Sequence, residues 1–293
     1  MLNMTSAPDR VQAFVARCLV DPSFLSTALD DPAGLDHATP RLFDESDLGR
    51  IALFQAFIVK VKHNGVRNIL PLVFRMLPAV GQELAFYRSY AASYLAIRAD
   101  GPLPVARQVQ VMTEHLRRYL EQCTNPASAA VADLLTHELT IWRMHSGGPV
   151  PQPEPADGAI VWRGRMELKF YDTDLSRACA ALMAKTFDPG QDLAEREQTL
   201  AYWRPEHGET VEFFEIDELT AMLFSMVDGR STLEGIAEQL AGRGLDQIGL
   251  GDLKQFFGEL AERDFIGFHA AAAKSALCEF VNGKRIDASH PRR

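Results

Sequence analysis

The sequence predicts an α+β fold in two parts: an N-terminal all-α helical bundle and a C-terminal winged helix-turn-helix domain. Three observations carry this. Apolar residues recur at helical spacing through the first half; a stretch of alternating prolines interrupts the middle; beyond it, strand-like runs lead into three closely spaced short helices. A chain of 293 residues, 47% of them hydrophobic, can bury a full core, and its length suits two domains better than one.

The first helix is announced by Pro8, well placed for a helical first turn, and by the stripe Val11, Phe14, Val15, Cys18 and Leu19. Four more stripes follow. They are Ile51, Phe54, Ile58 and Val61; Val80, Leu84, Tyr87, Ala91 and Tyr94; Val105, Val109, Met112, Leu116 and Tyr119; and Val131, Leu134, Leu135, Leu139 and Trp142. Amphipathic helices joined by short Pro, Gly or Asp segments indicate a bundle over residues 1–146.

The segment "SGGPVPQPEPADG" places Pro149, Pro151, Pro153 and Pro155 after a glycine pair. Repeated proline removes backbone donors and enforces extended conformations, so residues 147–158 read as a semi-rigid linker.

Residues 159–268 form the second domain, and residues 269–293 a C-terminal tail. "AIVWRGRMELKFYD" and "TLAYWRP" are rich in aromatic and branched residues, with "LSRACAALMAKTF" between them as a helix. Pro205 to Gly208 supplies turn chemistry before Thr210–Ile216, so "TLAYWRPEHGETVEFFEID" reads as a hairpin. Three helices follow. The first runs from Asp217 to Val227 with Asp217 as its cap; the second opens with a Ser231/Glu234 capping box and ends at Gly242; the third is capped by Asp252 and carries Leu253, Phe256, Phe257 and Leu260 on one face.

A winged helix invites a DNA reading, and charge argues against it. The chain carries a net charge of -9. From Gly158 to Phe268 there are 11 Lys plus Arg against 21 Asp plus Glu, a balance of 11 - 21 = -10. The third helix holds Asp252, Glu259, Glu262 and Asp264 against Lys254 and Arg263. Phosphates would be repelled, which disfavours nucleic acid and anionic membrane as partners. The other use of the shape is strand addition. A hairpin edge offers backbone donors and acceptors to an extended peptide, whose side chains enter the groove beside a neighbouring helix. The expected peptide contacts are Thr210, Val211, Glu212, Phe213, Phe214 and Glu215 on the strand, and Phe256, Phe257, Leu260 and Arg263 on the third helix. Of the helix residues, the stripe is mainly core, with Phe257 and Arg263 at its groove edge.

No catalytic or metal-binding residue is identifiable. His137-Glu138 begins a "HELTI" run, but Ile141 stands where a zinc-protease helix needs its second His. His115, His137 and His145 are spaced as isolated imidazoles rather than a convergent ligand set. The cysteines Cys18, Cys123, Cys179 and Cys278 form no CxxC pair. Nucleophile elbows and phosphate-binding glycine loops are also missing. The N-terminus lacks a basic segment followed by an apolar one, and no apolar run reaches the length of a spanning helix, so a soluble, cytoplasmic protein is expected.

Two stretches carry resemblances. "FFEIDELTAMLFSMVDGRSTLEGIAEQL" with "DLKQFFGELAERDFIGF" resembles the PqqD-like RiPP recognition element over roughly residues 199–268. "VKHNGVRNILPLVFRMLPAVGQELAFYRSYAASYL", followed by "ADLLTHELTIWR", is similar to the helical domain of the TglI/MbnC-like partner proteins of multinuclear non-haem iron oxidative enzymes. The shared features fall on Asn64, Pro78, the Phe86–Tyr94 segment and the Leu134–Glu138 segment.

The resemblance implies a noncatalytic subunit with no cofactor of its own. It would form a heterodimer with the iron enzyme, which holds the metal, and bind the leader of a ribosomal precursor peptide. The TglI-like branch, β-carbon excision from a C-terminal Cys in 3-thiaglutamate biosynthesis, is favoured; the MbnC-like alternative is oxazolone and thioamide formation. Lys60, His63 and Arg67 at i, i+3 and i+7, with Asn64 beside them, serve either as the contact with the enzyme or as a solvated helix face. Two further readings stay open: a winged-helix transcriptional regulator with a helical sensor domain, and an enzyme whose site is built from dispersed residues.

Overall fold

The computed structural model describes residues 7–31, 45–98, 103–147 and 155–269. Most of the expected linker and all but the first residue of the expected tail therefore lie outside the described residues. The protein is a mixture of helices and small antiparallel sheets and divides into two compact units. One comprises Met1–Leu139 with Asp172–Arg196, the other Thr140–Tyr171 with Glu197–Arg293.

The first unit is helical. It contains α1 (Ala7–Val20), α2 (Pro22–Asp30), α3 (Glu45–Lys62), α4 (Asn64–Ile69), α5 (Val73–Ala79), α6 (Glu83–Arg98), α7 (Val105–Gln122) and the first part of α8 (Ser128–Ser146). Asp21 starts α2, its carboxylate accepting the Phe24 N–H at 3.0 Å. Phe14 and Cys18 of α1 pack with Leu25, Ala28, Leu48 and Ala52. Phe86, Tyr87, Tyr90 and Ala91 of α6 are fully buried, as are Val109, Met112 and Leu116 of α7 and Val131, Leu134 and Leu135 of α8. α4 stops two residues short of Pro71, as the steric demand of proline on its predecessor requires.

The periodicity of α3 misleads about its buried side. Phe54 and Val61, expected inside, are 53% and 48% exposed, while Leu48, Ala52, Gln55, Ala56 and Val59 face the core. Buried Gln55 is satisfied there, donating from Nε2 to the Cys18 carbonyl at 2.8 Å.

Residues 172–196 belong to this unit although they follow the linker in sequence. The Asp133 carboxylate accepts the N–H groups of Asp172 and Thr173, and α9 (Leu175–Ala184) buries Leu175, Ala178, Cys179 and Leu182. Arg75 of α5 donates to the Leu182 carbonyl at 3.3 Å. A turn of helix, α10 (Pro189–Asp192), completes the segment.

The second unit holds one sheet and most of another, residues 172–173 of β2 and 195–196 of β3 being counted with the first unit. β1 (Ile160–Trp162) pairs antiparallel with β5 (Ile266–Phe268), Val161 opposite Gly267. The other sheet has the order β2-β3-β4, from β2 (Gly164–Thr173), β3 (Glu195–Pro205) and β4 (Glu212–Ile216). β3 and β4 are the expected hairpin, with Thr199 opposite Ile216 and Trp203 opposite Glu212. α11 (Glu218–Ser225), α12 (Leu233–Ala241) and α13 (Leu250–Glu262) then pack Leu223, Ile236, Leu240, Leu253 and Phe257 against Ile160 and Ile266.

Asp217 caps α11 as expected, accepting the Thr220 N–H at 2.7 Å. The other two caps are displaced. Thr232, not Ser231, caps α12 by accepting the Gly235 N–H at 3.2 Å, while the Ser231 N–H goes to the Asp228 carboxylate. Gly249 is the N-cap of α13; Asp252 sits one turn in and reaches back to the Gly249 N–H at 2.9 Å.

Candidate functional site

β4 is the outer strand of its sheet, because β3 lies between it and β2. The strand begins at Glu212, so Thr210 and Val211 form the approach to it rather than its first residues. Alternation and register sort the side chains. Phe214, opposite Ala201, shares a face with Trp203; Phe213, opposite Tyr202, lies on the other.

The Phe214 face is sealed by rings. Phe214 meets Phe265 edge-on at 5.9 Å, and Phe265 lies 5.1 Å from Trp203. Trp203 continues to Trp162 at 6.0 Å, and Trp162 to Phe224 at 5.1 Å. This ring chain ties β4 and the end of α13 to one core. On the opposite face Phe213, 44% exposed, lies 6.0 Å from Tyr202, whose hydroxyl bonds that of Tyr171 at 2.8 Å.

Of the α13 residues expected at the groove, Phe256 and Leu260 are half-buried and pack on the core, and Arg263 is exposed at the C-cap. Phe257 is different. It is wholly buried among Leu253, Ile236 and Ile266 and offers no surface to a ligand, so it is a core residue rather than a groove edge. Phe265 was missed by sequence reasoning; its place after the helix hid it, although an aromatic directly beyond an apolar helical stripe was a usable signal.

The expected basic patch on the helical unit does not form. α3 ends at Lys62 and α4 begins at Asn64, so Lys60, His63 and Arg67 do not share one helix face. His63 is fully buried: its Nδ1 lies 2.7 Å from the Val59 carbonyl and its Nε2 3.3 Å from the Tyr90 hydroxyl, and burial lowers its pKa. Lys60 is committed to Glu83 at 2.7 Å. Arg67 is half-buried, and of the four only Asn64 is exposed. The exposed feature of α3 is instead apolar: Leu53, Phe54, Phe57 and Val61, 48–53% exposed, line one stripe of the helix. A helix apolar on every side, as "IALFQAFIV" reads, was the available signal.

Several titratable groups lie in the interior of the helical unit. Glu138 is buried, accepting the N–H groups of Leu72 and Val73 at 2.9 Å each; burial raises its pKa to about 7 against the pull of those amides and of Arg75. Burial alone lowers His137 to about 4, and it pushes the Cys18 and Cys179 thiols up to about 11 and about 12. Both cysteines are thus held as thiols, the unreactive form. His115 sits between Ser89 and Ser93, at 3.0 and 3.2 Å from their hydroxyls. Among the described residues no group of three or more His, Cys, Asp or Glu is placed to hold a metal ion, and no helix is long and apolar enough to cross a membrane.

No protein-family model matches the sequence, and no curated protein is significantly similar to it.

Proposed function

We propose that this chain is a peptide-recruiting subunit, itself noncatalytic, of a complex that modifies a ribosomally made peptide. In this reading the second unit is a winged helix-turn-helix module of the RiPP recognition type. It takes the leader of the precursor as an added strand on β4, while the helical unit engages a multinuclear non-haem iron enzyme. The observation that carries it is the outer position of β4, whose half-buried Phe214 meets Phe265 just beyond α13. In this reading strand pairing supplies affinity, and the side chains flanking β4 supply selectivity.

In this reading the helical unit meets the enzyme through the exposed apolar stripe of α3 rather than through Lys60, His63 and Arg67. Contiguous exposed apolar residues on one helix suit a protein partner. The chemistry performed on the peptide, with 3-thiaglutamate-type β-carbon excision favoured over oxazolone and thioamide formation, belongs to the enzyme subunit. Co-purification of this chain with a multinuclear non-haem iron enzyme and a short precursor peptide is the test. Recovery of a ternary complex supports the reading; a chain that retains neither partner refutes it.

A further inference from the structure

Residues 206–218 carry Glu206, Glu209, Glu212, Glu215, Asp217 and Glu218, all exposed, with neither Lys nor Arg among them. These carboxylates run through the β3–β4 turn, along β4 and into the start of α11. α13, which leads to Phe265, adds exposed Glu259 and Glu262 together with exposed Lys254 and, at its C-cap, Arg263. The edge therefore joins half-buried Phe214, Phe265 and Leu260 to a rim in which carboxylates outnumber cations.

We infer that the segment taken up at β4 is an extended stretch rich in Lys or Arg, with apolar side chains at alternate positions. This deepens the peptide-recruiting reading and rests on it. The alternation follows from strand geometry: one set of the ligand's side chains turns toward Phe214, Phe265 and Leu260, the next set away from them. The charge follows from Coulomb's law at a partly solvated surface, where several carboxylates within a screening length of about 8 Å act together. The same charge disfavours other occupants. Two copies of β4 pairing edge to edge would set carboxylates against carboxylates, and nucleic acid would be repelled.

The test uses the full chain and two fluorescent ten-residue peptides, one alternating Lys with Val and one alternating Glu with Val, together with a short precursor peptide recovered in the co-purification above. Binding is read by anisotropy from 50 to 500 mM salt, and its place by amide exchange. The Lys peptide is expected to bind about tenfold more tightly than the Glu peptide, to weaken with salt and to protect β4 amides. The triple variant Glu209→Lys/Glu212→Lys/Glu218→Lys, all on exposed side chains, is expected to reverse the preference. Protection of β4 by peptides without a charge preference, or with preference for Glu, overturns this inference and leaves the peptide-recruiting reading standing. If neither the probes nor the precursor protects β4, both fall.

Discussion

Glu138 reaches Val73 across 65 positions of sequence: its Oε2 accepts the Val73 N–H at 2.9 Å, while its Oε1 accepts that of Leu72. One buried carboxylate on α8 thereby satisfies the start of α5, whose first amides have no helical partner. Glu138→Ala should cost roughly 2–5 kcal/mol in urea unfolding, because two amides lose their acceptor in an interior that water does not reach. Glu138→Gln, which keeps one carbonyl acceptor, should cost less. Equal stability of all three proteins would show that the clamp contributes nothing.

His137 and Glu138 should impose opposite pH dependences on stability. Glu138 titrates near 7 when folded and near 4.5 when not, so the folded protein holds an extra proton between those values, and stability falls as pH rises through that window. His137 titrates near 4 when folded and near 6.5 when not, so there the unfolded chain holds the extra proton, and stability rises with pH. The two slopes, each at most about 1.4 kcal/mol per pH unit, oppose one another where the windows overlap. Relative to the parent, His137→Gln should make stability fall more steeply toward neutral pH, and Glu138→Gln should make it rise. Chemical unfolding at half-unit intervals from pH 4.5 to 7 reads both signs.

Successive amides of a strand point to opposite edges, so proline at Glu212 and proline at Phe213 should have different consequences. One substitution removes a hydrogen bond to β3 and should lower stability by about 1–3 kcal/mol. The other removes an outward donor and should leave the unfolding midpoint nearly unchanged while abolishing precursor binding. Thermal unfolding and peptide titration of the two variants distinguish the edges.

The displaced cap of α12 is open to a direct check. Thr232→Ala should lower stability by about 1 kcal/mol, since it removes the acceptor for the Gly235 N–H. Ser231→Ala should cost less than half of that, because the Ser231 hydroxyl caps no α12 amide and its backbone N–H still reaches Asp228. The reverse ranking in urea unfolding would restore Ser231 as the cap.

Phe57→Glu places a charge on the apolar stripe of α3 at a side chain already 52% exposed. Its effect on stability should stay within about 0.5 kcal/mol, as for other surface changes. Co-purification with the enzyme subunit should be lost. Retention of the complex by Phe57→Glu combined with Phe54→Glu would move the interface elsewhere.

Local chemistry alone determined much of this protein. Helical periodicity marked α1, α3, α6, α7 and α8 but not the shorter α2, α4 and α5, aromatic and branched runs marked β3 and β4, and Asp217 marked the start of α11, because these features act over one or two turns of chain. What the tertiary structure decided is every choice between equivalent local options. α3 has apolar residues all round, so only packing against α1 and α6 could select Leu48, Ala52 and Val59 as its inner face. Lys60, His63 and Arg67 lay at helical spacing, yet a break at His63 and the bonds to Val59 and Tyr90 took that residue inside. Phe257 and Phe256 are adjacent in sequence, and the contacts with Ile236 and Ile266 alone made the first core and left the second near the surface. Long-range burial and long-range hydrogen bonds join residues that no spacing relates, and for that reason they were legible only once the chain was folded.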